Sequence, residues 1–170
     1  MSDLLFTEGG QQVYMPDGEV LSRFFWETPK FGCVQGPIGS GTSTAGIHKL
    51  NRLSMEQEPD YDGVRRSRWL VIGRSYPNLR ETALKTWELW FKEETYGPRV
   101  RAEPGYHRFV DPKTGGPRDH PSGDGTKVDA EFIFLALPNG DVARQILPSW
   151  EITGFFANEI QFLDKDIITI

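Results

Sequence analysis

Apolar residues recur in short blocks with two periods, and the two periods alternate along the chain. Residues 31–35 form a brief apolar run that stops at glycines, which predicts a buried strand. Residues 43–53 then read as a helix. Trp69, Leu70, Val71 and Ile72 follow as a second buried-strand run, continuous to Gly73. Over 77–93, Leu79, Ala83, Trp87, Trp90 and Phe91 fall on one face at helical spacing, a core stripe rather than a ligand box. Asn78 and Glu81 have capping-box spacing, while Pro77 marks an alternative first helical position. Residues 96–124 are polar and rich in glycine and proline, with a hairpin expected from 106–110 and a turn over 111–116. Residues 128–137 carry apolar side chains on both alternating faces, as a central strand does. A short helix over 141–147 and an apolar strand over 152–157 come next, and 163–170 open a further element. A helix over 19–25 completes the pattern. Strands alternating with helices predict an α/β fold with a mostly parallel sheet covered by helices.

Length and composition narrow this. The 170 residues suffice for one domain with a sizeable core. With 38% hydrophobic and 25% charged residues and a mean hydropathy of −0.46, the composition is that of an ordinary globular chain. No run reaches the roughly 20 apolar residues of a membrane helix, and the start lacks the pattern of a signal peptide. A cytoplasmic address is expected. The net charge of −5 runs against a dedicated nucleic-acid clamp. Arg65, Arg66, Arg68, Arg74 and Arg80 form the densest basic stretch, either a solvated face or a local DNA patch. Cys33, the single cysteine, reads as a small buried hydrophobe. His107 and His120, with Asp111, Asp119 and Asp124, follow no zinc spacing, so a solvated loop is expected there.

The segment Gly36, Pro37, Ile38, Gly39, Ser40, Gly41, Thr42, Ser43 changes the picture most. It leaves an expected strand and enters an expected helix, the context a phosphate-binding loop requires. Glycines let successive N–H groups turn toward an anion, and the helix contributes its positive end. Ser43 stands where a hydroxyl ligates Mg²⁺, but Thr42 stands where such loops carry lysine. A close charge contact is worth roughly 4 kcal/mol at an intermediate dielectric, so its loss weakens nucleotide binding and turnover. Lys30 and Lys49 lie too far along the chain to substitute convincingly. The loop alone fits either a nucleotide site or a plain tight strand-to-helix turn.

A second polar pair, Asn158 and Glu159, ends the apolar strand of 152–157. An amide at the first position can meet a magnesium-bound water without adding charge, and a carboxylate at the second can act as general base. A solvated strand exit has the same composition. Taken in order, the loop from Gln35 to Gly41, the run from Trp69 through Arg74, Ser75, Tyr76, Pro77 and Asn78 to Thr82, then Lys85, Thr86 and Trp87, the strand from Val128 to Leu137, and Glu151 to Gly154 through Asn158 and Glu159 resemble viral large terminases.

That resemblance implies a three-layer P-loop NTPase core of the additional-strand, catalytic-glutamate type. It implies ATP and Mg²⁺ as cofactors, hydrolysis that drives double-stranded DNA into a preformed capsid, and a ring of subunits at the portal protein, served by a small terminase subunit in the host cell cytoplasm. By position, Gly36, Pro37, Ile38, Gly39, Ser40, Gly41, Thr42 and Ser43 would bind nucleotide, Ser43 and Asn158 would hold Mg²⁺, and Glu159 would activate water. Arg144 would reach the transition state of a neighbouring subunit. The expected domain layout is one partial ATPase domain over 1–170, incomplete at its C-terminus, with a lead-in over 1–30, an insertion over 99–126, and no room for the family's nuclease. Thr42 makes impaired catalysis the expectation. A non-catalytic assembly module contacting portal or motor partners is the alternative.

Overall fold

The computed structural model describes residues 5–6, 12–37 and 39–163. In chain order it contains β1 (Leu5–Phe6), β2 (Gln12–Val13), α1 (Gly18–Trp26), α2 (Thr42–Met55), β3 (Val64–Gly73), α3 (Tyr76–Glu81), α4 (Ala83–Trp90) and α5 (Glu93–Tyr96). These are followed by β4 (Arg99–Val100), β5 (Gly105–Phe109), β6 (Arg118–Asp119), β7 (Lys127–Ala136), α6 (Gly140–Ile146) with a 3₁₀ turn at Leu147–Ser149, β8 (Gly154–Ala157) and a 3₁₀ turn at Ile160–Phe162. β1 and β2 form a separate two-stranded ribbon.

The main sheet is six-stranded and mixed, in the order β4-β5-β7-β3-β8, with β6 also on β7. β3 lies between β7 and β8, parallel to both. β5 and β6 run antiparallel to β7, and β4 antiparallel to β5. The largely parallel sheet expected from sequence is thus parallel only in β7, β3 and β8, with β8 at the end of the strand order. The 96–124 stretch returns the chain antiparallel because its connections are short turns rather than crossover helices. β5 finds its hairpin partner in β4, before it, while the turn closed by Asp111 N–H on the Gly116 carbonyl (2.9 Å) leads to β6.

The side-chain alternation of β3 and β7 builds two cores. Trp69 and Val71, with Phe132 and Phe134, face α2 and α4, where Ile47, Leu50, Ala83 and Trp87 bury them. Leu70, Ile72 and Leu135 face the other way, against Ala143 of α6 and the apolar residues after it. β7 is the central strand that its two apolar faces predict.

Three local expectations need correction. The 77–93 helix is broken into α3 and α4 at Thr82, whose backbone leaves helical geometry (φ −114°, ψ −90°). The Thr82 hydroxyl donates to the Asn78 carbonyl at 2.7 Å, the back-bonding by which Ser and Thr bend helices. The helix begins at Tyr76 with Ser75 as N-cap, its Oγ accepting from Asn78 N–H at 3.3 Å, so neither the Asn78 capping box nor Pro77 as first residue holds. Finally, 31–35 is not a strand. Phe31 is 70% exposed and Cys33 is exposed, not buried. With β3 flanked by β7 and β8, the segment joins no strand of the sheet and runs beside Lys49 and Phe24, which approach Gly32.

Candidate functional site

The loop that follows 31–35 is shaped by glycine. Gly39 and Gly41 both adopt left-handed backbone (φ 83° each), where a side chain is strained. A Cβ on Gly36 would fall 2.4 Å from Ser40 Oγ and 3.3 Å from Thr42 Cγ2, so the chain folds back on itself only because Gly36 has none. Ser40 N–H is spent on the Pro37 carbonyl at 3.1 Å. Gly41 is the N-cap of α2, and no side chain caps the first turn. The helix's initial amides therefore emerge at the loop, the arrangement that favours an anion. Ile38 lies outside the described residues.

Two close approaches bring the second motif to this loop. Gly46 of α2 lets the Phe156 ring of β8 lie where a Cβ would be, 2.2 Å from Phe156 Cε2. That contact sets β8 against α2 with its C-terminal end at the helix start. There Ser43 Oγ donates to Asn158 Oδ1 at 2.8 Å across the fold. Asn158 is buried (3% exposed), its backbone N–H bonded to the Ile72 carbonyl as a continuation of the ladder. Its Nδ2 donates to Thr82 Oγ1 at 3.0 Å.

Glu159 comes next, in left-handed geometry (φ 56°, ψ 49°), the one non-glycine with positive φ among the described residues. Its carboxylate accepts from Asn78 Nδ2 at 2.8 Å. Asn78 reaches it because α3 packs tightly over the end of β3, where a Cβ on Gly73 would be 2.6 Å from Leu79 Cγ. Such a backbone outlier beside the buried Asn158 and the half-buried Asn78 marks a place where the fold holds a side chain in a chosen direction.

The structure therefore places Ser43, Asn158 and Glu159 together, with Gly36, Pro37, Gly39, Ser40, Gly41 and Thr42 in the adjoining turn. Asn78 and Thr82, on the α3 side of the same cluster, carried no signal in the sequence beyond their capping and helix positions. Arg144 lies apart, on α6 against the opposite face of the sheet, and is ion-paired with Asp141 at 3.0 Å. Lys49 does not approach the loop: its Nζ donates to the carbonyls of Phe24 and Glu27 at 2.6 Å each, closing the C-terminal turn of α1. Burial and the neighbouring Arg52 hold its pKa below the usual lysine range.

Ser43 and Asn158 are neutral oxygen donors. They are joined by an O–H···O hydrogen bond of ordinary length, 2.8 Å, and both are hard oxygen ligands of the kind Mg²⁺ takes. By donor type the pair is compatible with such an ion, although it adds no charge to it. A cavity of about 500 Å³ opens between α1 and 29–34, lined in part by Arg23, Phe24, Cys33 and Lys49. It sits beside the displaced segment, away from the Ser43–Asn158 contact. The basic stretch is largely neutralised: Arg65, Arg66, Arg68 and Arg80 each carry an ion pair, to Asp124, to Asp60 and Asp62, to Glu131 and to Glu103. His107 is buried against Trp87, and His120 lies in the loop beside Asp124; no cluster with metal-ligand spacing occurs among the described residues. No family model, no curated protein and no solved structure matches the chain.

Proposed function

We propose that this chain is a nucleotide-binding module of the P-loop NTPase type, derived from the ATPase of a viral DNA-packaging motor and weakened by Thr42. The contact of Ser43 with Asn158, with Glu159 as the next residue, carries this reading. The turn supplies backbone amides for the β- and γ-phosphates of ATP. Ser43 and Asn158 would hold Mg²⁺, which when bound neutralises phosphate charge. Glu159 is the carboxylate able to accept a proton from attacking water, and Asn78 fixes its direction. Thr42 offers one hydrogen bond where a lysine would offer a charge, so binding is weak and turnover slow. In a complete motor the module would act in a ring at the portal, with the small terminase subunit and double-stranded DNA as partners, Arg144 facing a neighbouring subunit.

One observation favours a second reading, a non-catalytic assembly module. Lys49, the lysine on the helix that leaves the loop, is held by the carbonyls of α1 and not turned to the loop. Calorimetric titration with Mg–ATP separates the two. On the leading reading the chain releases or absorbs binding heat, Ser43→Ala abolishes the Mg²⁺-dependent part, and Thr42→Lys tightens binding about tenfold or more, ~1.4 kcal/mol. Heat absent from both the parent chain and Thr42→Lys would leave the assembly module standing.

A further inference from the structure

The hydrogen bonds around Asn158 have a direction that can be read without placing a single proton by choice. The Thr82 hydroxyl gives its only proton to the Asn78 carbonyl, 2.7 Å away. Its oxygen must then accept from Asn158, and the contact at 3.0 Å is to the amide that can donate, Nδ2. This fixes which way the Asn158 amide is turned, the question that otherwise stays open for any asparagine. With Nδ2 spent on Thr82, Oδ1 faces Ser43 and accepts its hydroxyl proton at 2.8 Å. The chain of bonds thus runs one way, from loop to helix: Ser43 to Asn158, Asn158 to Thr82, Thr82 to the α3 backbone. One turn earlier on the same helix, Asn78 Nδ2 holds Glu159 at 2.8 Å.

We propose that α3 positions the strand-tip pair, Thr82 turning the Asn158 amide so that its oxygen faces Ser43 and Asn78 aiming the Glu159 carboxylate. Thr82 and Asn78 are positioning residues; neither touches the loop in the observed contacts. The same Thr82 that breaks the long helix is thereby tied to the site: its kink carries the helix on while its oxygen anchors Asn158. If Asn158 turned over, it would present N–H groups to Ser43, and a cation would meet donors where it needs acceptors. The inference deepens the nucleotide reading and rests on it for its consequence, though the hydrogen-bond network itself does not.

The test compares Thr82→Val, which keeps the shape and removes the hydroxyl, with Thr82→Ser, which keeps the hydroxyl. In the free protein, ¹⁵N spectra resolve side-chain amides. The Asn158 pair should be slow to exchange in the parent chain and in Thr82→Ser, and should shift and exchange freely in Thr82→Val. The Asn78 pair should respond to Glu159→Ala and not to Thr82→Ser. An Asn158 signal identical in Thr82→Val and the parent overturns the proposal even if no nucleotide binds. In a second arm, Mg²⁺ titrated into protein with bound ATP should bind at least fivefold more weakly to Thr82→Val and normally to Thr82→Ser, with ATP affinity in EDTA unchanged. Equal Mg²⁺ affinity in all three chains also overturns it. Failure of the parent to bind ATP at all sinks the nucleotide reading instead, and the spectra still decide the role of α3.

Discussion

At the scale of single residues, the core contains two histidines whose neutral form the fold requires. His48 stacks on Tyr14, with ring centroids 4.5 Å apart and planes nearly parallel, and is met edge-on by Trp90. Its Nε2 is buried without a partner. Burial pushes its pKa down to about 3. The unfolded chain takes up this proton near pH 6.5, while the folded chain resists until about 3. The neutral ring therefore contributes stability that is whole above pH 6.5 and drains away as pH falls toward 3, by up to ~1.4 kcal/mol per pH unit. His107 acts in the same direction, its pKa also lowered by burial. It accepts Trp87 Nε1–H at 3.0 Å on Nδ1, and its Nε2 lies 2.7 Å from the Gly97 carbonyl, so a second proton would set donor against donor. Replacing His48 with Phe should flatten the decline of unfolding free energy between pH 6 and 4, measured by urea denaturation, and leave the shares of His107 and of the carboxylates held low by their partners, such as Glu93. An acid limb as steep in His48→Phe as in the parent would show that His48 is not the group responsible. Tyr14, whose pKa burial and Asp17 raise to about 12, contributes nothing in this window.

At the scale of elements, glycines decide how close the pieces come. Gly46 admits the Phe156 ring to the surface of α2, and that approach brings Ser43 to Asn158. In an isolated helix, alanine at this position would be better by up to ~1 kcal/mol. Here the added methyl meets ring carbons at 2.2 and 2.3 Å, and overpacking costs about 1–3 kcal/mol. Gly46→Ala should therefore lower the melting temperature by several degrees and, on the proposed nucleotide reading, weaken Mg²⁺-dependent binding with it; a rise in melting temperature would mean that the ring moves aside freely. The sequence supports some elements and not others for the same kind of reason. β7 is legible because both of its faces are apolar, which only a central strand tolerates. The break at Thr82 is not, because the residues around it have helical periodicity and the kink comes from one hydroxyl bonding back to Asn78. Asn78 and Thr82 as partners of Glu159 and Asn158 were equally hidden, since their meeting depends on tertiary approach across β3, α3 and β8. Ser43, Asn158 and Glu159 were legible as candidates because loop and strand exit each have a local pattern, although pattern alone did not say that Ser43 and Asn158 touch.

At the scale of the whole molecule, the same limit explains 31–35. Its five residues have a strand's composition, but composition does not report tertiary pairing: β3 is flanked by β7 and β8, and 31–35 joins no strand, lying instead beside α1 and Lys49. What the sheet does leave open is β8, which ends the strand order among the described residues. Phe155 on that strand is in register with Leu70, which is in register with Ile133, and that with Tyr106. The row runs across one face of the sheet through Tyr106 to Val100 on β4, and Phe155 at its β8 end is 43% exposed. An exposed aromatic on a terminal strand whose outer backbone groups find no ladder partner among the described residues is the feature that native sheets blunt with charge or cover. The chain should therefore associate as concentration rises, and Phe155→Lys should suppress this by placing a charge on the edge strand. Sedimentation velocity over a hundredfold concentration range checks it. The parent's sedimentation coefficient should climb and that of Phe155→Lys should stay flat, whereas parallel curves would show that the edge of β8 is not where molecules meet.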